Sequence, residues 1–220
     1  MVEGAASKDT NQEVRYDVVV SGGRVIDPET GFDAVANVGI IGGRIGAITD
    51  QPLAGARTLA ADGLVVSPGF IDLHAHGQQL PAAWMQAFDG VTTALELESG
   101  LLPVAAAYDR MAAEGRPINY GLGSSASFAR AMAMHPELPP ADGSLAWFQN
   151  AFKFPAWQTD PASEEQVDKI IRSVEEGLDE GALGVSVNAG YNPGMGRKEY
   201  FRLPNWPAGT GLRPSPTRAT

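Results

Sequence analysis

From Gly69 onward the chain alternates short apolar runs with helix-forming segments, and this rhythm constrains the fold more than any other feature. A strand-like run at 69–76, GFIDLHAH, precedes the helix-forming LPAAWMQAFDG. The strand VTTALELES precedes VAAAYDRMAAEG, and the strand PINYGLG precedes a longer loop-rich stretch. Next comes the amphipathic helix SEEQVDKIIRSVEEGLDEG, with Ser163 as N-cap and Glu164 and Glu165 in its first turn. The strand ALGVSVNAGY closes the series. Strand and helix repeating at this spacing predict an α/β fold of parallel β/α units. About four units fit, which is half of a closed (β/α)8 barrel of TIM type, since that needs about 250 residues.

Upstream the text differs. Between residues 16 and 66, short β-branched runs are separated by Gly22-Gly23, Pro28-Glu29-Thr30-Gly31 and Gly42-Gly43, which predicts a small antiparallel β module. Residues 1–15 are polar and are expected to be mobile. The partial barrel is assigned to 67–203, where GRKEYFRL at 196–203 reads as the opening of a further helix. Beyond it, PNWPAGTGLRPSPTRAT (204–220) holds four of the sixteen prolines and no Asp, Glu or Lys. That composition neither continues a helix nor shows a packing pattern, so an irregular tail from a truncated or frameshifted reading frame is expected.

Composition narrows the chemistry. A formal net charge of −10, spread along the chain, argues against nucleic acid or an anionic membrane as partner. With no cysteine there is no disulfide, no thiolate metal site and no cysteine nucleophile. A metal site must therefore draw on His, Asp, Glu or a modified lysine. The first residues lack the apolar core of a signal peptide, and no apolar run reaches the length of a membrane span, so a cytoplasmic protein is expected.

The candidate site begins at His74 and His76. On a regular strand Phe70, Asp72, His74 and His76 share a face, which places the two imidazoles roughly 7 Å apart along the backbone. Both could lean onto one metal ion; alternatively each is an ordinary core or loop histidine with its nitrogens satisfied. Asp72 could orient an imidazole or hold the strand backbone. On the second strand Ala94, Glu96 and Glu98 share a face. Glu98 lies nearer the C-terminal end of the strand, where barrel active sites form, while Glu96 suits an internal salt bridge. Two features are decoys. GLGSSA at 121–126 imitates a nucleotide-binding glycine loop without the second strand and acid that such a loop requires. His135, in Met134-His135-Pro136-Glu137, reads as a solvated or capping residue.

PGFIDLHAHG after a short β module resembles the amidohydrolase superfamily, and GVTTALELESG with GALGVSVNAGYNPG resembles its N-acyl-D-amino-acid deacylase (D-aminoacylase) branch. The resemblance covers roughly residues 16–203. It implies a (β/α)8 barrel with a small β-sandwich and a divalent metal ion, with zinc the expected ion. His74 and His76 are then metal ligands. Many members of that branch carry a metal-bridging cysteine near GVTT; here Ser99 stands near that place, and the ligand role passes to Glu98. Tyr191, in Tyr191-Asn192-Pro193-Gly194, matches a tyrosine that contacts the scissile carbonyl. The activity implied is hydrolysis of a linear amide, with a small-molecule N-acyl-D-amino acid as substrate. Cyclic-amide hydrolases of hydantoinase or dihydroorotase type and amino-sugar deacetylases are the neighbouring alternatives. The resemblance also implies two later histidines and a general-base aspartate. No histidine follows His135, so this chain alone is expected to be inactive, and a non-catalytic fragment is the alternative of another class.

Overall fold

The computed structural model describes residues 15–77 and 79–203. Arg15 already belongs to a strand; the expectations for 1–14 and for the 204–220 tail lie outside the described residues. The chain divides into two compact units between Pro68 and Gly69.

The first unit is a five-stranded sheet of β1 (Arg15–Asp27), β2 (Phe32–Ile41), β3 (Arg44–Thr49), β4 (Ala54–Ala60) and β5 (Val65–Val66). β1, β2 and β3 form an antiparallel meander whose turns fall at the predicted glycines. β4 and β5 do not continue it. Both pair with β1, in parallel, on the edge that β2 leaves open. The antiparallel expectation is thus corrected for these two strands: the free N–H and C=O groups of β1 need partners, and a crossover satisfies them as well as a hairpin would. Val25, Ala36 and Val38 form the small buried core of the sheet.

In the second unit β6 (Phe70–Asp72), α1 (Leu80–Phe88), β7 (Val91–Leu101), α2 (Val104–Glu114), β8 (Asn119–Ser125), α3 (Ala126–Met134), α4 (Leu145–Ala151), α5 (Ala156–Thr159), α6 (Glu164–Asp179), β9 (Val185–Ser186) and α7 (Arg197–Arg202) follow in order. The four strands form one parallel sheet in chain order, the arrangement that the strand–helix rhythm predicts. α6 starts where its sequence says it should. Ser163 Oγ accepts from Gln166 N–H while the Gln166 side chain accepts from Ser163 N–H, closing a capping box. Its buried stripe of Val167, Ile170 and Val174 faces the core, each side chain contributing about 1.5–3 kcal/mol by leaving water. The stretch read from sequence as mostly loop instead carries α4 and α5. Phe148 of α4 stacks on Phe128 of α3 at 4.5 Å, and Trp157 of α5 packs against Phe148 at 5.4 Å. A fully buried Arg130 on α3 ties these pieces together, donating to the carbonyls of Trp157 and Asp160, both at 2.8 Å, and pairing with Glu199 on α7.

Candidate metal centre

β6 is shorter than its sequence suggests. Regular strand ends at Asp72, and residues 73–77 leave the sheet apart from an isolated bridge between His74 and Glu96 and a bond from Ala75 N–H to Leu95 C=O. The cause is local. Asp72 Oδ1 accepts from His74 N–H at 3.0 Å, capturing a backbone donor that a continued ladder would use. Asp72 thus takes the second of its two sequence roles and holds backbone. The two histidines are not stacked on one strand face, and both are largely exposed, at 64% and 56% of their side-chain surface.

They meet all the same. His74 Nε2 lies 2.9 Å from His76 Nε2, with the rings edge to face. Glu98 Oε2 stands 3.6 Å from the first nitrogen and 3.4 Å from the second. One ligand atom from each of the three residues thus falls within 4.8 Å of the others.

Glu98 reaches this position through a break in β7. The β7–β8 ladder runs in register to Glu96 opposite Leu122 and resumes only at Leu101 opposite Ser124. Four residues of β7, 97–100, therefore oppose the single Gly123, a wide bulge of the kind that re-aims side chains beside active sites. Gly100 takes the left-handed φ of 63° that the bulge needs, and Ser186 Oγ on β9 pins it by donating to Leu97 C=O at 2.8 Å. Glu96 and Glu98 therefore do not share a regular strand face, yet both serve the histidines.

Glu96 does so from below. It is 4% exposed and lies with Oε2 3.0 Å from His76 Nδ1, while Oε1 accepts from Ser99 N–H at 3.1 Å. A carboxylate at Nδ1 makes that nitrogen the donor, so His76 Nε2 presents a lone pair toward His74 and Glu98. This is the outer partner that metal-binding histidines characteristically have. The sequence suggests an internal salt bridge for Glu96 without naming its partner; in the structure that partner is His76.

Does this donor set suit a divalent ion? Two imidazole nitrogens and a carboxylate oxygen are zinc-type ligands, and two nitrogens each about 2.0–2.1 Å from one tetrahedral ion stand roughly 3.3 Å apart. The spacing found between the two Nε2 atoms is close to that, so the residues fit.

No family model matches the chain. An N-acyl-D-glutamate deacylase of Alcaligenes xylosoxydans xylosoxydans is 34% identical over 194 residues, covering 82% of this chain and 38% of that protein. A solved D-aminoacylase superposes with a TM-score of 0.67 at 24% identity, covering 86% of this chain and 42% of that one. Over most of its length the chain is similar to D-aminoacylase-like amidohydrolases. A second solved structure, an N-acyl-D-glutamate deacylase from Bordetella bronchiseptica complexed with zinc and a phosphonate inhibitor, gives a TM-score of 0.65 at 22% identity over the same shares of both chains. The chain spans roughly two fifths of the length of these relatives.

Tyr191 closes a short 3-10 turn (Ala189–Tyr191), is exposed, and lines the same cleft as His76 and Glu98. Its neighbour Asn192, which the sequence reading passed over, fixes the turn by donating to Ser127 Oγ at 2.8 Å and to Asn188 C=O at 2.9 Å. His135 stands outside the group. It is the C-cap of α3, with Nδ1 2.9 Å from Glu137 Oε1, and its ring packs on Phe154 instead of being solvated. The residues of GLGSSA are buried in the fold: Ser124 Oγ donates to Val174 C=O and Ser125 caps α3. Among the described residues no helix is long and apolar enough to cross a membrane.

Proposed function

We propose that this chain supplies part of the metal centre of a hydrolase that removes the acyl group from an N-acyl-D-amino acid. The observation that carries the reading is the convergence of His74, His76 and Glu98 within 4.8 Å. His74 and His76 through Nε2 and Glu98 through its carboxylate would hold a divalent ion, with zinc favoured by the nitrogen-rich donor set. When bound, such an ion polarises a carbonyl and makes water acidic enough to react near neutral pH. Glu96 keeps the His76 ring in the tautomer and orientation that ligation needs. Tyr191, with its phenol exposed in the cleft, is assigned a hydrogen bond to the carbonyl oxygen as negative charge develops there.

The D-amino-acid preference is supported by the deacylase relative that matches most of this chain. A second reading, a cyclic-amide hydrolase, is favoured by shorter matches: a dihydroorotase-like protein of Pseudomonas putida is 47% identical over 58 residues, covering 26% of this chain and 14% of that protein. The cleft's described lining contains no aspartate to serve as general base. Removing one member of such a catalytic unit typically costs several orders of magnitude, so these 220 residues alone are expected to bind without measurable turnover.

Binding of a phosphonate analogue of an N-acyl-D-amino acid to the zinc-loaded chain separates the readings. The expected result is tighter binding of the D than of the L enantiomer, with loss of binding in Tyr191→Phe of about tenfold, the effect of one hydrogen bond to a charged group. Equal affinity for the two enantiomers, or tighter binding of dihydroorotate than of either, would contradict the proposal.

A further inference from the structure

One face of α4 lines the cleft that His76 and Glu98 also line. Leu145, Phe148, Gln149 and Phe152 line it, at the spacing that places side chains on one side of a helix. Phe148 is 6% exposed and stacked at 4.5 Å on Phe128, so the face is fixed from behind. Phe152 is different. Its ring is held edge to face against Phe148 at 5.2 Å and Trp157 at 5.3 Å, yet 42% of the residue is open to solvent. A rigid aromatic ring kept partly exposed in a cleft beside reactive groups is a contact surface for an apolar ligand. The charges agree with this. Among the described residues no lysine or arginine lines the cleft, and its acidic member is Glu98, beside His76. A carboxylate held against α4 would meet apolar rings and one amide, with no cation among the described lining residues to offset its desolvation.

We infer that the α4 face is a binding subsite for an apolar, uncharged substituent of the substrate. This rests on the hydrolase reading of the neighbouring residues, and it adds the chemical class of substrate that the site accepts. The apolar group has two possible sources, the acyl chain or the amino-acid side chain. Phe152 and Leu145 set the preference by contact, and Gln149 limits how far the apolar surface extends.

The test is calorimetric titration of the 220-residue chain with N-octanoyl-D-alanine, N-acetyl-D-leucine and N-acetyl-D-alanine, beside a Co²⁺ titration of the same samples. Each buried methylene raises affinity about fourfold. The first or the second compound should therefore bind at least about tenfold more tightly than the third, and which one does identifies the source. Phe152→Asp should abolish that preference and leave Co²⁺ affinity unchanged. Gln149→Leu should strengthen the preference, a gain that a misfolded variant cannot imitate. Equal affinity for all three compounds, binding of none, or a preference that survives Phe152→Asp overturns the subsite. A chain that shows the preference and takes up no Co²⁺ upholds the subsite and overturns the metal-centre reading instead.

Discussion

Glu96 and Glu98 sit two residues apart on β7 and address opposite sides of one imidazole: Oε2 of Glu96 is 3.0 Å from His76 Nδ1, and Oε2 of Glu98 is 3.4 Å from His76 Nε2. One carboxylate orients the ring and the other shares its ligating side. The two roles separate because the bulge at 97–100 turns Glu98 away from the ladder that Glu96 still belongs to.

That division predicts different losses on amide substitution. Glu96→Gln keeps the shape and can still hydrogen-bond His76, but removes the charge that favours the Nδ1–H tautomer. Divalent-metal affinity should fall about 10- to 100-fold, the usual cost of losing an outer partner. Glu98→Gln removes the anionic charge of a proposed ligand and should cost more. Co²⁺ titration followed by visible absorption ranks the two; an unchanged affinity in Glu96→Gln would remove its positioning role.

The bulge depends on bare backbone at Gly123. A Cβ built there would lie 1.9 Å from Ser186 Oγ, the atom that pins Leu97 C=O. Gly123→Ala should destabilise the chain by about 1–3 kcal/mol, the range for overpacking a fitted site, and should weaken metal binding with it. Adding Ser186→Ala removes the clashing oxygen and should recover part of the stability. Urea unfolding of the single and double variants reads both effects, and an additive double variant would show that the contact is not the cause.

Tyr108 provides a pH dependence. Its hydroxyl accepts from Leu122 N–H at 3.0 Å and donates to Gly181 C=O at 3.4 Å, and burial pushes the phenol above its ordinary value. The folded state then holds this proton more tightly than the unfolded state does. The contribution is complete below the unfolded value, about 10, and is lost as pH rises through the higher folded value. Thermal melts from pH 8 to 11 should show this alkaline loss in the native chain. Tyr108→Phe should lower stability by about 1–3 kcal/mol near neutrality, because Leu122 N–H and Gly181 C=O lose a partner, and should flatten the alkaline slope. An identical slope in both would assign it to other groups.

Much of this arrangement is legible in the sequence because it is local. Ser163 with Gln166 starts α6, and the strand–helix rhythm yields the parallel sheet, since both depend on residues a few positions apart. What escapes is set by pairing at a distance. β4 reads as one more hairpin strand, yet pairs with β1 across the whole of β2 and β3. The bulge is invisible in VTTALELES because it arises from β8 supplying one residue against four. For His74 and His76, strict alternation predicts a shared strand face, whereas Asp72 ends the strand and a loop brings the two rings together. The residues are those that the pattern named; the geometry that unites them is not the pattern's. α4 was missed for another reason: Leu145–Ala151 is only seven residues long, and its apolar face is visible as such only beside Phe128 and Trp157.

His74, His76 and Glu98 are proposed to hold one divalent ion, and a Co²⁺ titration of the 220-residue chain and its alanine variants decides whether they do. Saturation is expected at a single equivalent, with visible bands of a low-coordinate nitrogen–oxygen site. Those bands should be lost in His74→Ala, His76→Ala and Glu98→Ala and retained in His135→Ala. Stoichiometric binding that survives the loss of both His74 and His76, or depends on His135 instead, would contradict it.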